Sequence, residues 1–476
     1  MRGYTEITMD KTLYKDLEIK ELPKAPRWYK ALGVGIVVMG LAIGTGELIM
    51  WPHLVTKYGL GILWGAFIGI TIQFFINREV GRLAIATGES FFTAASRKLP
   101  GLVLFWLVSA ALLYIWPGWA TAIGTTLTEF FGFGNYLLWA WLSLGLVLVF
   151  TFTGKIAYRV LERTLKIIVP IFFVLLVAIS FQTLKWGHIV SAIQGIINIG
   201  WLPENIDLAV FIGATVFAGA GGLLNLCVSL WYRDKGIGMG YYAGHITNPI
   251  TGKTQAVSTT GYTFVINKDN MARWRQWMKF LLIDQGVIFW FLGTITLILL
   301  SLNAYAILTP KGLVPEGLQI AVVQAHIFGE YWGVAGYKLF LAMAFLMLFS
   351  VMWTVIDAFT RIVTDIIYVN SRQGPHAKRF GVFKNISAHR LYYGLITGFV
   401  LISALLIPLK QPLIFLTISS VLGAVVMVIY IPILIYVNNT QLPKPIRPGL
   451  ITNIMLTSGF LFYALFTTLL IIAQFK

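Results

Sequence analysis

The chain has 476 residues, of which 58% are hydrophobic and only 12% charged, with six histidines and a single cysteine. A mean hydropathy of +0.79 excludes a soluble globular domain and points to a polytopic membrane protein. The net charge of +17 does not mark a nucleic-acid binder, because the chain lacks a folded basic module. The lone Cys227 excludes an internal disulfide or a thiolate metal cluster.

Residues 1–30 mix acids and bases and read as a cytoplasmic tail. Within it, Asp10 to Lys24 fits a short surface helix with Leu13 and Leu17 on one side, or a solvated tail at the headgroups. The first apolar run is too long for a signal-peptide core, so it is expected to serve as an uncleaved insertion signal. Eleven runs of about 20 apolar residues, the length that crosses a hydrocarbon core, follow one another. They are spans 1 to 11: 31–58, 60–86, 101–126, 135–153, 163–183, 206–232, 278–302, 334–360, 389–408, 412–437 and 450–473. With the N-terminus inside, 30 of the 36 Lys and Arg residues fall on inner segments. Only Lys57, Lys185, Lys311, Lys338, Lys410 and Lys476 fall outside. This positive-inside split predicts a cytoplasmic N-terminus, an external C-terminus and a location in the inner or plasma membrane.

Span 1 is interrupted by Gly44-Thr45-Gly46-Glu47, and span 6 by Phe217-Ala218-Gly219-Ala220-Gly221-Gly222. Glycine-rich interruptions in matching places of two halves point to a mid-membrane binding site. Bare backbone survives at that depth only where it lines a cavity or is buried in protein. Five spans per half is an odd number, so the repeats 31–183 and 206–437 insert with opposite topology, and span 11 is an addition. The predicted architecture is an all-α integral membrane protein of 11 transmembrane helices. It has a 5+5 inverted repeat with helices 1 and 6 broken, the pattern of inverted-repeat secondary transporters, and 31–476 form one transmembrane domain.

In span 2, Gly61, Gly65 and Gly69 lie four apart and form a stripe for close helix approach. The longest polar stretch, 236–277, is on the inner side. Gly244 to Phe264 reads as a hairpin. Asn267 to Met278 reads as a short amphipathic helix lying on the membrane, anchored by Trp274 and Trp277. Thr251-Gly252-Lys253-Thr254 is similar to the end of a phosphate-binding loop. It lacks the glycine five residues before Gly252, where Thr247 stands, and is read as a turn.

Three stretches together resemble the Nramp family of proton-coupled divalent-metal transporters. Tyr58-Gly59-Leu60-Gly61-Ile62-Leu63-Trp64, then Gln73 and Ala86-Thr87-Gly88-Glu89, resemble its span 2. Gly213-Ala214-Thr215-Val216 resembles the approach to its span 6 break, and Tyr158-Arg159-Val160-Leu161-Glu162 the start of its span 5. The resemblance implies eleven or twelve helices, a cytoplasmic N-terminus and the LeuT/APC-type inverted-repeat fold of the wider superfamily that includes amino-acid transporters. The site departs from the family pattern. Where the family carries Asp-Pro-Gly-Asn, this chain has Gly44, Thr45, Gly46 and Glu47. Where the family carries Met-Pro-His after Gly-Ala-Thr-Val, it has Phe217, Ala218 and Gly219. The family's acidic residues in span 3 are replaced near Gly118 and Thr121. The thioether that favours late transition metals is gone, so no metal site is retained except through Glu47.

The expected substrate-binding residues are Gly44, Thr45, Gly46, Glu47, Phe217, Ala218, Gly219, Ala220 and Gly221. Glu47 near the bilayer centre is a functional residue by default; its alternative is a helix-end residue stabilised by the dipole. The glycines offer amides at half-helix N-termini, where anions bind. Coupling candidates are Glu47, His53, Gln73, Ser350, Thr354 and Asp357. Span 8 hydroxyls bind a coupling Na⁺ in this fold, as the superfamily resemblance implies. His53 is alternatively structural, and Asp357 and Asp284 are alternatively ion-paired at the inner surface. Glu79 with Arg82 three residues on reads as a helix-surface pair, and Asn225 as an interhelical hydrogen bonder.

The sequence thus predicts a secondary active transporter of a small organic or anionic solute held by backbone groups, driven by H⁺ or Na⁺. The alternatives are transport of a hard cation, Mg²⁺ or Na⁺, through Glu47, and residual divalent-metal/proton symport. No cofactor, nucleic acid or enzymatic residue set is expected; the partners are the solute, the coupling ion and the bilayer.

Overall fold

The computed structural model describes residues 14–27, 33–153, 157–246, 257–409 and 411–474, without the side chains of 157–160 and 474. The Thr251 to Thr254 turn and the middle of the supposed hairpin, 247–256, lie outside the described residues. So does the start of the tail, and so do the side chains of Tyr158, Arg159 and Val160.

Among the described residues, ten helices are long and apolar enough to cross a bilayer: Val34–Tyr58, Leu60–Thr87, Leu102–Phe131, Tyr136–Thr153, Leu161–Thr183, Lys268–Lys311, Val323–Asn370, Ala388–Leu409, Pro412–Gln441 and Leu450–Ala473. Span 6 is divided into Leu208–Val216 and Leu224–Asp234, each too short to cross alone. Local chemistry sets the boundaries. Gly59 at φ +84° turns the chain from span 1 into span 2, a conformation open to glycine. Asp207 starts span 6 by accepting the Val210 N–H at 3.1 Å, an N-cap that satisfies an otherwise orphaned donor. The glycine stripe of span 2 receives the first half of span 6. A Cβ on Gly61 would stand 2.6 Å from the Trp201 ring, and one on Gly65 2.5 Å from Phe211.

Four features correct the sequence reading. Span 1 is not unwound at Gly44 to Glu47. It runs on from Val34–Ala42 through a π-helical stretch, Ile43–Met50, into Trp51–Tyr58. A π stretch accommodates extra residues without giving up the hydrogen-bond ladder, so glycines there need not mean a gap. A second π stretch, Ile283–Leu292, lies in span 7. Span 3 has the interruption instead: Leu102–Tyr114 and Gly118–Phe131 are separated at Pro117, whose ring cannot continue a helix.

The amphipathic segment does not lie apart on the membrane. Lys268–Leu282 continues directly into span 7, and Trp274 and Trp277 are buried. The described part of the N-terminal tail is not helical either. Residues 14–27 form an extended strap across one end of the bundle. Its Glu18 and Ile19 pair in parallel with Tyr262 and Thr263. Leu22 is fully buried, Trp277 Nε1 donates to the Pro23 carbonyl at 2.8 Å, and Tyr14 OH donates to Asn370 Oδ1 at 2.7 Å. Leucine burial and regular backbone pairing anchor a tail that its charged composition alone describes as solvated.

Candidate functional site

The middle of span 1 and the turn of span 6 meet backbone to backbone. A Cβ on Gly46 would overlap the Phe217 carbonyl, and one on Gly44 would overlap Val351 of span 8. The glycines are therefore close-approach residues. Thr45, Glu47, Phe217, Ala218 and Ala220 are all buried, so the crossing is occluded.

Gln73 of span 2 organises the span 6 turn. Its Nε2 donates to the carbonyls of Val216 at 2.8 Å and Thr215 at 3.4 Å, and its Oε1 accepts from the Gly221 N–H at 2.8 Å. One buried amide thus satisfies three backbone groups that the break leaves without helical partners. Gly221 and Gly222 have φ of +73° and +52°, the left-handed turn that lets the chain reverse before the second half-helix. Gly219 abuts Gln73, leaving no room for a side chain: its Cβ would stand 2.5 Å from Oε1. Tyr114, at the span 3 interruption, accepts the Leu224 N–H at 2.9 Å and so caps the second half-helix.

Thr45 donates to the Leu41 carbonyl at 3.0 Å and accepts from Trp119 Nε1 at 3.0 Å. The Trp119 ring meets the Phe217 ring edge-on, with centroids 6.2 Å apart. An aromatic pair therefore flanks the crossing. Neither Trp119 nor Tyr114 was singled out from the sequence, though Trp116-Pro117-Gly118 signals the interruption that places them.

Glu47 stands apart from this satisfied network. Its residue is 0% exposed, and neither carboxyl oxygen has a hydrogen-bond partner. A bare carboxylate in a dry interior is very costly.

The other candidates go elsewhere. His53 Nδ1 donates to the Pro315 carbonyl at 2.8 Å, near the opposite end of the bundle from the strap. Ser350 and Thr354 donate to the carbonyls of their own helix, Met347 at 2.7 Å and Ser350 at 2.6 Å. Asp357 does not join them. It accepts from Arg361 Nε at 2.7 Å, Tyr392 OH at 2.5 Å and Trp231 Nε1 at 3.2 Å. Arg361 also bridges Asp234, and Arg233 pairs with Asp365 at 2.5 Å. This buried chain of charges ties span 8 to the second half of span 6 at the strap end. Asp284 of span 7 accepts the Gly35 N–H at 2.9 Å, the Gly33 N–H at 3.4 Å and Tyr232 OH at 2.6 Å. It caps the start of span 1, a role unread from the sequence. Glu79 pairs with Arg82 at 2.8 Å, but the pair is buried and accepts a further hydrogen bond from Asn438 at 3.1 Å. Asn225 Nδ2 donates to Tyr430 OH at 3.0 Å across helices.

The amides that the sequence reading offers to an anion are largely engaged. In span 1 the helical ladder is continuous, with the Trp51 N–H on the Gly46 carbonyl. In span 6, Gln73 and Tyr114 meet the Gly221 and Leu224 N–H groups. A concavity of about 730 Å³ lies away from the crossing, on the apolar outer face among spans 3, 4 and 8, lined by residues such as Leu127, Phe131, Trp139 and Phe345. That lining suits lipid contact.

No family model matches the sequence, and no curated protein does. Solved structures do. The chain is similar to a manganese transporter of Eremococcus coleocola in a histidine-to-alanine mutant form, with 14% identity, a TM-score of 0.64, and coverage of 96% of this chain and 90% of that one. It is similar to the same transporter in complex with an aromatic bis-isothiourea substituted compound, at 13% identity, a TM-score of 0.65, and coverage of 98% and 91%. The chain therefore shares the overall multi-helix fold of that protein.

Proposed function

We propose that this protein is a secondary active transporter of a small organic solute, coupled to a monovalent cation held by Glu47, on an Nramp-like scaffold of eleven spans. The observation that carries this reading is the wholly buried Glu47 carboxyl with two unpartnered oxygens. Such a group in a membrane interior marks an ion or proton pathway. One carboxylate balances one positive charge, which fits H⁺ or Na⁺ better than a dication. Among the described residues no three His, Cys, Asp or Glu side chains gather as a metal-binding group. The structurally similar protein is a manganese transporter, and its fold supports alternating access here without carrying over its cargo. The Trp119–Phe217 pair beside Thr45 supports an organic solute at the crossing. The positive-inside pattern supports a cytoplasmic strap end, where the Asp357–Arg361 chain and the strap would seal the occluded crossing.

The test is uptake into proteoliposomes under Na⁺ or proton gradients, with a panel of amino acids, small organic acids, Mg²⁺ and Mn²⁺. Wild type is expected to accumulate an organic solute under one gradient, and Glu47→Gln to lose the gradient dependence. Gradient-driven uptake intact in Glu47→Gln defeats the proposal. Saturable Mn²⁺ binding abolished by Glu47→Ala restores a divalent-metal role instead.

A further inference from the structure

The segment between spans 7 and 8 is built of short 3₁₀ turns, Thr309–Lys311, Gly317–Gln319 and Val323–Ala325. It reaches span 1 at two points. Pro315 receives His53, and Gln324 Nε2 donates to the Leu48 carbonyl within the π stretch. Gln324 is 0% exposed.

The Gln324 amide has a settled orientation. Nε2 donates to the carbonyls of Leu48 and Ile320, the latter at 3.1 Å, which commits both of its N–H groups. Turning the amide over would set oxygen against two carbonyl oxygens. Oε1 is therefore the atom left over, and it is buried without a partner. The residue before Leu48 is Glu47, whose two oxygens are buried and unpartnered as well. Buried polar groups are almost always satisfied. Acceptor oxygens contributed by adjoining segments, with no donor among the Glu47 and Gln324 groups left over, suit a hard cation.

We propose that Gln324 Oε1 is a second protein ligand, beside the Glu47 carboxylate, for the monovalent cation. This rests on the reading of Glu47 given above. It has a conformational corollary: the cation site is complete only when the Thr309–Ala325 segment is seated on span 1, so cation binding and closure of that end are one event. Na⁺ would be ligated by both side chains. A proton on Glu47 would be shared with Gln324 Oε1 as acceptor.

The test uses purified full-length protein with two readouts: equilibrium binding of radioactive Na⁺ and proton uptake into proteoliposomes with an entrapped pH dye. Wild type, Glu47→Gln, Gln324→Met and Lys311→Ala are compared, each checked for monodispersity and melting temperature. Lys311→Ala breaks only the exposed pair with Glu330 at the other end of the segment. Expected are loss of the active readout in Glu47→Gln and a weakening of about tenfold in Gln324→Met, the order of one lost ligand hydrogen bond or coordination. Lys311→Ala is expected to stay within about twofold of wild type, as surface pairs contribute little. Unchanged affinity in Gln324→Met, with Glu47→Gln inactive, overturns the Gln324 assignment and leaves the Glu47 reading standing. Equal weakening in Gln324→Met and Lys311→Ala also overturns it, by showing a tether rather than a ligand. No response to Glu47→Gln, or neither cation acting on wild type, overturns both. Should Gln324→Met fail to fold, Gln324→Asn serves: it keeps an amide but draws the oxygen back by one methylene, so the active readout weakens at a true ligand position, and unchanged affinity overturns the assignment.

Discussion

Gly46 of span 1 lies so close to the Phe217 carbonyl of span 6 that a methyl group on it would overlap the oxygen. Both partners are backbone and neither can rotate away, so the contact fixes the distance between the two segments at the centre of the bundle. Gly46→Ala should destabilise the protein by about 1–3 kcal/mol, the usual cost of overpacking. The thermal midpoint of the purified variant should fall, whereas Gly145→Ala, with open space around it, should leave it unchanged. Equal midpoints for the two variants would refute this contact.

Gln73→Leu removes the partner of the Val216 and Thr215 carbonyls and of the Gly221 N–H. Each buried group left unmet costs about 1–3 kcal/mol, so the span 6 turn should open. Hydrogen exchange measured over 217–224 should rise by at least about tenfold, while exchange in span 10 should not change.

Asp357→Asn should be among the most damaging substitutions, at about 3–5 kcal/mol, because it leaves Arg361 with less than its full charge compensation in a dry environment. Replacing both partners, Asp357→Leu with Arg361→Met, should recover part of the loss. Melting temperatures of the single and double variants decide this. A double variant no better than the singles would show that Asp357 works through something other than this pair.

Burial raises the Tyr14 hydroxyl from 10.0 to about 12, with Arg97 opposing the shift and Glu89 adding to it. The ionised form is disfavoured when the strap is docked. The Tyr14 contribution to docking is therefore fully present below pH 10 and is lost as pH rises from 10 towards 12. A tyrosinate absorbance titration of wild type minus Tyr14→Phe should show one transition near 12. A transition near 10 would mean that Tyr14 is solvated and the strap undocked.

Much of the architecture could be read directly. Span limits agree within a few residues for most segments, because hydrocarbon thickness imposes a length that composition reveals. The turn at 217–222 was legible because consecutive glycines at φ > 0 have few other uses. The Gly44 to Glu47 stretch looked alike and is different. Glycines there admit Val351 and Phe217, and a close approach leaves the same local signature as an unwound segment. Pro117 carried a plain signal for the real interruption in span 3. Ser350, Thr354 and Asp357 follow one another along span 8, but Arg361 one turn further on claims the aspartate, a pairing that the spacing of hydroxyls does not announce. Gln324 gave no signal, since its importance arises only from a contact across 276 positions of chain.

The eight-residue π stretch of span 1 works like a screw with slack in its thread. Its coil widens where Val351 and Phe217 press on Gly44 and Gly46, so the chain threads a crossing too tight for side chains while its hydrogen-bond ladder runs on.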